Sequence, residues 1–316
     1  MSRRRLSRQQ KQRIEAAQSA DLKSLPQGLV VSHRGGRILV ETEQRESVEC
    51  KIKSNLGSIV CGDRVAIERS ANGEHRVMAT LPRDNLLQRV DGFGKVRAVA
   101  ANISQLVVCL AIKPEPNRLM LDQYLLCAEQ QQINAVILVN KIDLADNPEM
   151  PVDFADTYRA IGYEVIYTST VSGLGMDSFR QSLADERTVL SGASGVGKSS
   201  LTAWLLPDEN IKIADISEAN EEGRHTTRTS TLYHLQSGGD LIDTPGVRGF
   251  NPYIDASSPL DHGFREIYQH AKHCRFHNCR HMGEPGCAVV DAIEAGLIDA
   301  LRFDNYRKLL QQQSDV

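Results

Sequence analysis

Gly192-Ala-Ser-Gly-Val-Gly-Lys-Ser199 is the stretch that decides how this chain folds. It follows the apolar run 188–190 and matches the pattern G-x-x-x-x-G-K-[ST] at every fixed position. Glycines accept φ > 0 and leave backbone N–H groups open to phosphate oxygens. The stretch therefore predicts a strand, a phosphate-binding loop and a helix over about 200–206.

Two side chains at the end of this loop carry the expected phosphate chemistry. Lys198 would reach the β- and γ-phosphates, and Ser199 would hold Mg²⁺ through its hydroxyl. The positive end of the following helix would face the same anion. The predicted nucleotide contacts are Gly192, Ala193, Ser194, Gly195, Val196, Gly197, Lys198, Ser199 and Ser200. The alternative is a glycine-rich turn that fits the pattern by chance.

Length and composition indicate a multidomain, folded chain. Its 316 residues suggest two or three domains, and contents of 41% hydrophobic and 24% charged residues are typical of soluble proteins. No run approaches the ~18 apolar residues that a membrane span needs. The arginines at 3–5 precede no apolar segment of the kind found in secretory signals. We predict a cytoplasmic location and no membrane partner.

The N-terminal arm, residues 1–26, is polar and basic, and we predict that it is disordered. Residues 1–25 contain seven Lys or Arg side chains and two Asp or Glu side chains, although the whole chain has a net charge of −3. A basic arm on a mildly acidic protein favours contact with nucleic acid. The alternative is a solvated tail with no partner.

The region 27–82 has the pattern of a small β-barrel. Five short β-type runs are separated by turns, among them the hairpin signal Asn72-Gly73. An OB-fold is the commonest such barrel that binds oligonucleotides, and an SH3-like barrel would look similar. Residues 83–95 contain Gly92 and Gly94 and are predicted to be a linker.

The region 96–255 shows an α/β rhythm. Apolar strand-like runs alternate with helical segments, which predicts a parallel sheet covered on both faces. The strand-like runs are 106–112, 135–139, 165–167 and 188–190.

Base recognition is predicted after the second of these strands, at Asn140-Lys-Ile-Asp143. Asp143 would accept two hydrogen bonds from N1–H and the exocyclic amine of guanine, a pair of donors that adenine lacks. The Lys141 stem would lie over the base, and Asn140 would tie this loop to the phosphate loop. After the third strand, backbone N–H groups at Ser169 would meet the guanine carbonyl.

The γ-phosphate elements are predicted downstream of the phosphate loop. Asp243 would position Mg²⁺, and Gly246 would donate its N–H to the γ-phosphate. In the polar segment 223–229, Thr226 or Thr227 would complete the Mg²⁺ shell and release it after hydrolysis. An ordinary surface loop is the alternative interpretation of that segment.

The order of these motifs is unusual. Base-recognition elements at 140–143 and 168–170 precede the phosphate elements at 192–199, 226–227 and 243–246. A sheet with both ends near the surface tolerates such a rearrangement, because the same contacts form in space. The sequence therefore predicts a circularly permuted GTPase domain that binds GTP or GDP with Mg²⁺.

The C-terminal region 256–316 contains a cluster of metal-ligand residues: Cys274, Cys279, His281 and Cys287. Three thiolates and one imidazole suit a closed, tetrahedral structural Zn²⁺ site. His273 and His277 are rival ligands by spacing. Zinc would stabilise a small α-helical domain that has little core of its own.

Together these motifs resemble the circularly permuted GTPases that assist assembly of the small ribosomal subunit, the ribosome small subunit-dependent GTPase A family. The likeness runs from the barrel to Glu284-Pro-Gly-Cys287. It implies an OB-fold, a permuted GTPase domain and a zinc domain that bind the small subunit and its rRNA. It also implies slow GTP hydrolysis that the subunit stimulates, and a role in late maturation. We expect a monomer.

The water-activating group has no motif of its own, and two departures from common GTPase patterns bear on the site. Many GTPases place a glutamine after the D-x-x-G glycine, whereas this chain has Val247, which cannot orient water. His225 is the nearest titratable candidate and is our hypothesis for that role. Gly195 replaces the Asn of potassium-activated GTPases, so potassium dependence is not predicted.

Two other functions fit some of the same motifs. One is an RNA-binding scaffold that holds a structural guanine nucleotide with negligible turnover. The phosphate and Mg²⁺ chemistry of Lys198, Ser199 and Asp243 argues against it, since a structural site needs no γ-phosphate sensor. The other is an ATPase, which Asp143 opposes.

Overall fold

The structure, a computed structural model, comprises a barrel, an α/β sheet and a small helical unit, and it describes residues 24–34, 36–53, 56–146, 154–207, 230–244 and 251–314. The strands are β1 (Gln27–Arg34), β2 (Arg37–Thr42), β3 (Ser47–Ile52), β4 (Arg64–Arg69), β5 (His75–Thr80), β6 (Leu86–Val90), β7 (Val96–Ala101), β8 (Gln105–Ala111), β9 (Asn134–Asn140), β10 (Glu164–Tyr167), β11 (Arg187–Gly192), β12 (Thr231–His234), β13 (Asp240–Asp243) and β14 (Asn251–Pro252). The helices are α1 (Arg118–Gln130), α2 (Ala155–Ala160), α3 (Met176–Ser182), α4 (Lys198–Leu205), α5 (Arg265–Ala271), α6 (Ala288–Glu294) and α7 (Ala300–Ser314). Two 3₁₀ turns cover Ile142–Leu144 and Leu260–Gly263.

Strands β1 to β5 close into a barrel. They lie in the order β1-β2-β3-β5-β4, and β4 returns to pair with β1. Strands β3 and β5 run parallel, and the other neighbours run antiparallel. Inward-facing residues fill the barrel: Val30, Ile38, Val40, Cys50, Ile59, Val65, Ile67 and Val77. The predicted OB-like barrel is confirmed.

The segment 83–95 is not a linker, contrary to the sequence-based prediction, because it contains β6. This strand pairs antiparallel with β7, and β14 adds to its other edge. The turn of the hairpin contains Gly94 at φ 75° and is capped by the Asp91 carboxylate. The glycines that suggested a linker therefore form a tight turn, while Leu87 anchors the strand in the main core.

The central sheet has the predicted parallel arrangement. Strands β8, β9, β10, β11 and β13 run parallel in the order β10-β9-β8-β11-β13. Every residue of β8 is buried, as expected for the middle of a sheet covered on both faces. Strand β12 is antiparallel to β13, because a short hairpin joins them. The barrel meets this edge of the sheet, where Ser32 pairs with Thr231.

The C-terminal unit packs its own core against α1. Leu126 of α1 lies in this core with Phe264, Ile267 and Tyr306. Helices α6 and α7 are separated near Gly296, which has φ 71°. Within the part of the chain that the structure describes, no helix has the length and apolar character to cross a membrane.

Candidate nucleotide site and metal centre

Four loops that carry predicted site residues leave one edge of the parallel sheet. They follow β9, β10, β11 and β13, and these strands run in the same direction. Ligands of open α/β sheets bind at the carboxyl ends of the strands. The base-recognition and phosphate motifs, although far apart in sequence, are thus brought to one edge.

The phosphate loop depends on glycine at two positions. Gly192 has φ 136°, and a Cβ there would lie 2.1 Å from the carbonyl oxygen of Cys109. Gly197 has φ 97°, and a Cβ there would lie 2.3 Å from Asn140 Nδ2. A side chain at either position would displace its neighbour. The backbone course that can present N–H groups to a phosphate therefore requires both glycines.

Lys198 lies over the phosphate loop at the start of α4. Its Nζ donates to the carbonyl oxygens of Gly192 at 2.7 Å and Ala193 at 2.6 Å. Ser199 follows in the first turn of the helix, and Asp243 ends β13, which pairs with β11. An ammonium group at a helix N-terminus fits phosphate, and a hydroxyl with a carboxylate fits the oxygen preference of Mg²⁺.

Asn140 connects the base-recognition loop to the phosphate loop. This buried side chain donates from Nδ2 to the carbonyl oxygen of Val196 at 3.0 Å. Its Oδ1 accepts a bond from the Thr168 hydroxyl at 3.2 Å. The sequence interpretation anticipated the link to the phosphate loop. It placed residues 168–170 in the base-recognition region for their backbone but did not anticipate the bond from the Thr168 hydroxyl to Asn140. A hydroxyl directly after an apolar strand was the available signal.

Asp143 and Ser169 lie together on neighbouring loops. The Ser169 hydroxyl donates to Asp143 Oδ1 at 2.5 Å and accepts from the backbone N–H of Ser172 at 3.1 Å. The serine side chain therefore fixes the direction of the carboxylate, whereas the sequence suggested only a backbone role for it. Lys141 lies beside them at φ 59°, and its Nζ donates to the carbonyl oxygen of Gly195 at 2.5 Å.

The remaining predicted switch residues cannot be placed. Thr226, Thr227, His225, Gly246 and Val247 lie outside the residues that the structure describes.

The four predicted metal ligands form a cluster. One ligand atom from each of Cys274, Cys279, His281 and Cys287 lies within 4.8 Å of all the others. His281 Nδ1 is 3.6 Å from Cys274 Sγ and 3.3 Å from Cys287 Sγ, and these two sulfurs are 3.9 Å apart. Tetrahedral zinc with Zn–S near ~2.3 Å and Zn–N near ~2.0 Å requires ligand separations of this size. The set fits zinc.

The rival imidazoles stay outside the cluster. His273 and His277 are exposed, whereas His281 is buried. Glu284, which the sequence showed only as part of the motif 284–287, shapes the ligand loop by accepting backbone N–H bonds from Arg280 at 2.9 Å and Met282 at 2.7 Å. Burial raises the pKa of Glu284, but these amides outweigh it and lower the pKa to about 2.

Comparison with known proteins identifies the family. The RsgA GTPase family profile matches residues 80–252. This chain belongs to that family. Its members are GTPases, which take a guanine nucleotide with Mg²⁺, so the predicted enzyme class and family are confirmed.

Relatives match over their full length. The small ribosomal subunit biogenesis GTPase RsgA of Hahella chejuensis is 38% identical over 99% of this chain and 98% of its own. The Chromohalobacter salexigens protein of the same name is 40% identical, and the match covers 98% of each chain.

Solved structures share the fold. A crystal structure of YjeQ from Thermotoga maritima has a TM-score of 0.69 and 29% identity, covering 91% of this chain and 98% of its own. YloQ, described as a circularly permuted GTPase, has a TM-score of 0.69 and 27% identity, covering 92% of this chain and 96% of its own. The predicted permuted fold is confirmed.

Proposed function

We propose that this protein hydrolyses GTP as an assembly factor for the small ribosomal subunit and acts late in its maturation. The observation that carries the proposal is the placement of Asp143, held by Ser169, at the same sheet edge as the phosphate loop. Full-length similarity to small ribosomal subunit biogenesis GTPases supports the choice of partner.

The site residues take the following proposed roles. Asp143 reads guanine, Lys141 covers the base, and the loop 192–200 surrounds the phosphates. Lys198 contacts the β- and γ-phosphates, which carry the developing negative charge in the transition state. Ser199, Asp243 and one of Thr226 and Thr227 would hold Mg²⁺, and Gly246 would donate its N–H to the γ-phosphate. When bound, Mg²⁺ would neutralise negative charge on the phosphate oxygens.

Water activation needs a separate group. The apolar side chain of Val247 cannot orient a water molecule, so we assign His225 to this role. A slow intrinsic rate follows if His225 reaches the water only when the subunit is bound. Unchanged stimulated turnover in His225→Ala would end this assignment.

The flanking regions are proposed to bind the partner. The barrel, the basic arm and the C-terminal unit would contact the subunit and its rRNA, and the four-ligand cluster would hold one structural zinc. The functional divisions are 27–82, 96–255 and 256–316. A monomeric state and a cytoplasmic location belong to the same proposal.

The decisive experiment measures GTP turnover with and without purified small ribosomal subunits. We expect slow turnover alone, clear stimulation by subunits, and loss of both in Lys198→Ala, because the ammonium no longer meets the phosphates. Wild-type turnover equal to that of Lys198→Ala in both conditions would favour a scaffold with a structural nucleotide. Turnover without stimulation would instead refute the ribosomal partner.

A further inference from the structure

Helix α1 contacts both the nucleotide-binding sheet and the C-terminal unit. Tyr124 lies in the main core of the sheet, and Leu126 lies in the core of the C-terminal unit. The contact with the C-terminal unit is close, since a Cβ on Gly263 would lie 2.0 Å from Leu126 Cδ1. Tightly packed interfaces transmit displacement, so α1 cannot move independently of either side.

Tyr124 supports the beginning of the phosphate loop. It is fully buried, and the backbone N–H of Gly192 lies against its phenol oxygen. Burial raises the pKa of Tyr124 to about 12, and the hydrogen bond from the Gly192 N–H opposes that rise. Gly192 is also confined on its other side by Cys109. The position of Tyr124 therefore sets the position of the loop.

Asp122, two residues earlier on α1, is bound by the C-terminal unit. Its Oδ1 accepts from Arg302 Nη1 at 2.6 Å and from the Tyr158 hydroxyl at 2.7 Å. Its Oδ2 accepts from Asn305 Nδ2 at 2.7 Å. Two residues along a helix point to nearly opposite sides, so the bond to α7 and the contact with the loop lie on different faces of α1.

The bonds around Asp122 are fully enclosed. Arg302 also donates to both carboxylate oxygens of Glu266, at 2.5 and 3.2 Å, and both side chains are buried. Burial raises the pKa of Asp122, and the nearby Arg302 guanidinium opposes that rise. Separating such groups would leave a charge in the interior, so the cluster resists displacement.

We propose that Asp122 and Tyr124 are positioning residues for the phosphate loop. Arg302 and Asn305 of the C-terminal unit fix α1 through Asp122, and Tyr124 conveys that position to Gly192. The inference rests on the proposed GTPase function. A partner that binds the C-terminal unit would then alter nucleotide affinity through this one helix.

The test compares Tyr124→Phe, Asn305→Ala and the double variant by titration with fluorescent GDP. Each single change should weaken GDP binding about 3- to 10-fold, the range expected when one buried hydrogen bond is removed. The double variant should bind GDP about as weakly as the single variant with the lower GDP affinity, because both changes interrupt one path. Thermal melts establish a temperature at which all variants are folded.

Asn85→Ala is the matched control for Asn305→Ala. The Asn85 side chain donates to the carbonyl oxygen of Ile103 at 2.7 Å and accepts from its backbone N–H at 3.0 Å, in contacts that involve neither α1 nor the C-terminal unit. Removing this amide should leave GDP affinity unchanged.

Two results would overturn the inference. One is an unchanged GDP affinity in Asn305→Ala. The other is a loss of GDP affinity in the double variant equal to the product of the losses in the two single variants. If Asn305→Ala does not fold, Arg118→Gln replaces it, because Arg118 donates to Asp299 at 2.8 Å at the start of α1. Binding of GDP by the wild type, and its loss in Lys198→Ala, test the proposed GTPase function separately from this inference. A wild type that binds no GDP would refute both that function and this inference.

Discussion

Asp143 shows how a surface carboxylate obtains a fixed direction. The side chain is exposed, yet the Ser169 hydroxyl holds Oδ1 at 2.5 Å and is itself held by the loop backbone. Preorganisation of this kind reduces the entropy cost of binding a base. The specificity for guanine that we propose would therefore depend on a pair of residues from two loops.

Asp143→Asn should weaken GDP binding about 10- to 100-fold, the range for removal of a hydrogen bond to a charged group. The preference for guanine over adenine nucleotides should narrow, because the amide presents a donor where guanine also donates. Competition of GDP and ADP against a fluorescent nucleotide measures both effects. The control is Asp146→Asn, an equal charge change at an exposed position three residues later. Selectivity that survives in Asp143→Asn would refute the assignment.

Gly197→Ala should lower nucleotide affinity at least about 10-fold while the protein stays folded, since local backbone strain costs about 1–3 kcal/mol. Asn140 cannot yield easily to the new Cβ, because Val196 and Thr168 hold its amide. Gly73→Ala is the control that distinguishes backbone strain from a steric clash. Gly73 also has a positive φ, of 83°, but no atom lies within 4 Å of a Cβ there. Equal nucleotide affinity in the two variants would contradict the steric argument.

At the level of elements, the contact between α1, α5 and α7 is held by buried charges. Arg302→Met should destabilise the protein by about 3–5 kcal/mol, because Asp122 and Glu266 would be left without their cation. Urea unfolding followed by circular dichroism measures the destabilisation. Arg37→Met removes an exposed ion pair to Glu49 and should lower the free energy of unfolding by less than about 1 kcal/mol. Similar costs for the two variants would show that the buried cluster is not stabilising.

The ligand loop between α5 and α6 should contain one zinc per chain by elemental analysis. His281→Gln should release zinc and lower the melting temperature of the C-terminal unit, because an incomplete ligand set cannot stabilise the fold. His277→Gln should retain zinc, since that imidazole is exposed outside the cluster. Zinc retained by His281→Gln and released by His277→Gln would reverse the ligand assignment.

Sequence patterns anticipated elements whose signal is local. Five short runs predicted the barrel, and the apolar runs predicted the parallel strands of the central sheet. Strand β6 was missed because Gly92 and Gly94 are equally common in linkers and in hairpin turns. The site motifs at Asn140 and Lys198 were visible because they have fixed spacing. The Asp122–Arg302 contact was not, because it joins residues far apart in sequence through packing alone.

At the scale of the whole molecule, the permutation places the phosphate elements next to the C-terminal unit. Asp243 ends β13, and β14 follows at Asn251 before the chain enters the 3₁₀ turn at Leu260. The barrel meets the same edge of the sheet through Ser32 and Thr231. Both flanking regions therefore lie in contact with the nucleotide-binding domain, which suits a switch that reports to more than one surface.

Deleting residues 1–25 should reduce the salt dependence of binding to small subunits or their rRNA. For every phosphate that the arm no longer neutralises, the slope of log affinity against log salt should fall by roughly 0.7–0.9. Binding measured at several salt concentrations gives the slope. A variant with glutamine at positions 3, 4 and 5 keeps the length of the arm and should show part of the effect. An unaltered slope in the deletion would exclude the arm from the interface with RNA.

The strand order also has a consequence for synthesis of the chain. Strands β8, β9 and β10 are adjacent both in sequence and in the sheet, so they can assemble as soon as they leave the ribosome. The other edge of β8 pairs with β11, which is translated later. Until then, a nascent chain has the proposed guanine-binding loops without its phosphate loop. It also carries an unpaired, apolar strand edge of the type that is prone to aggregate.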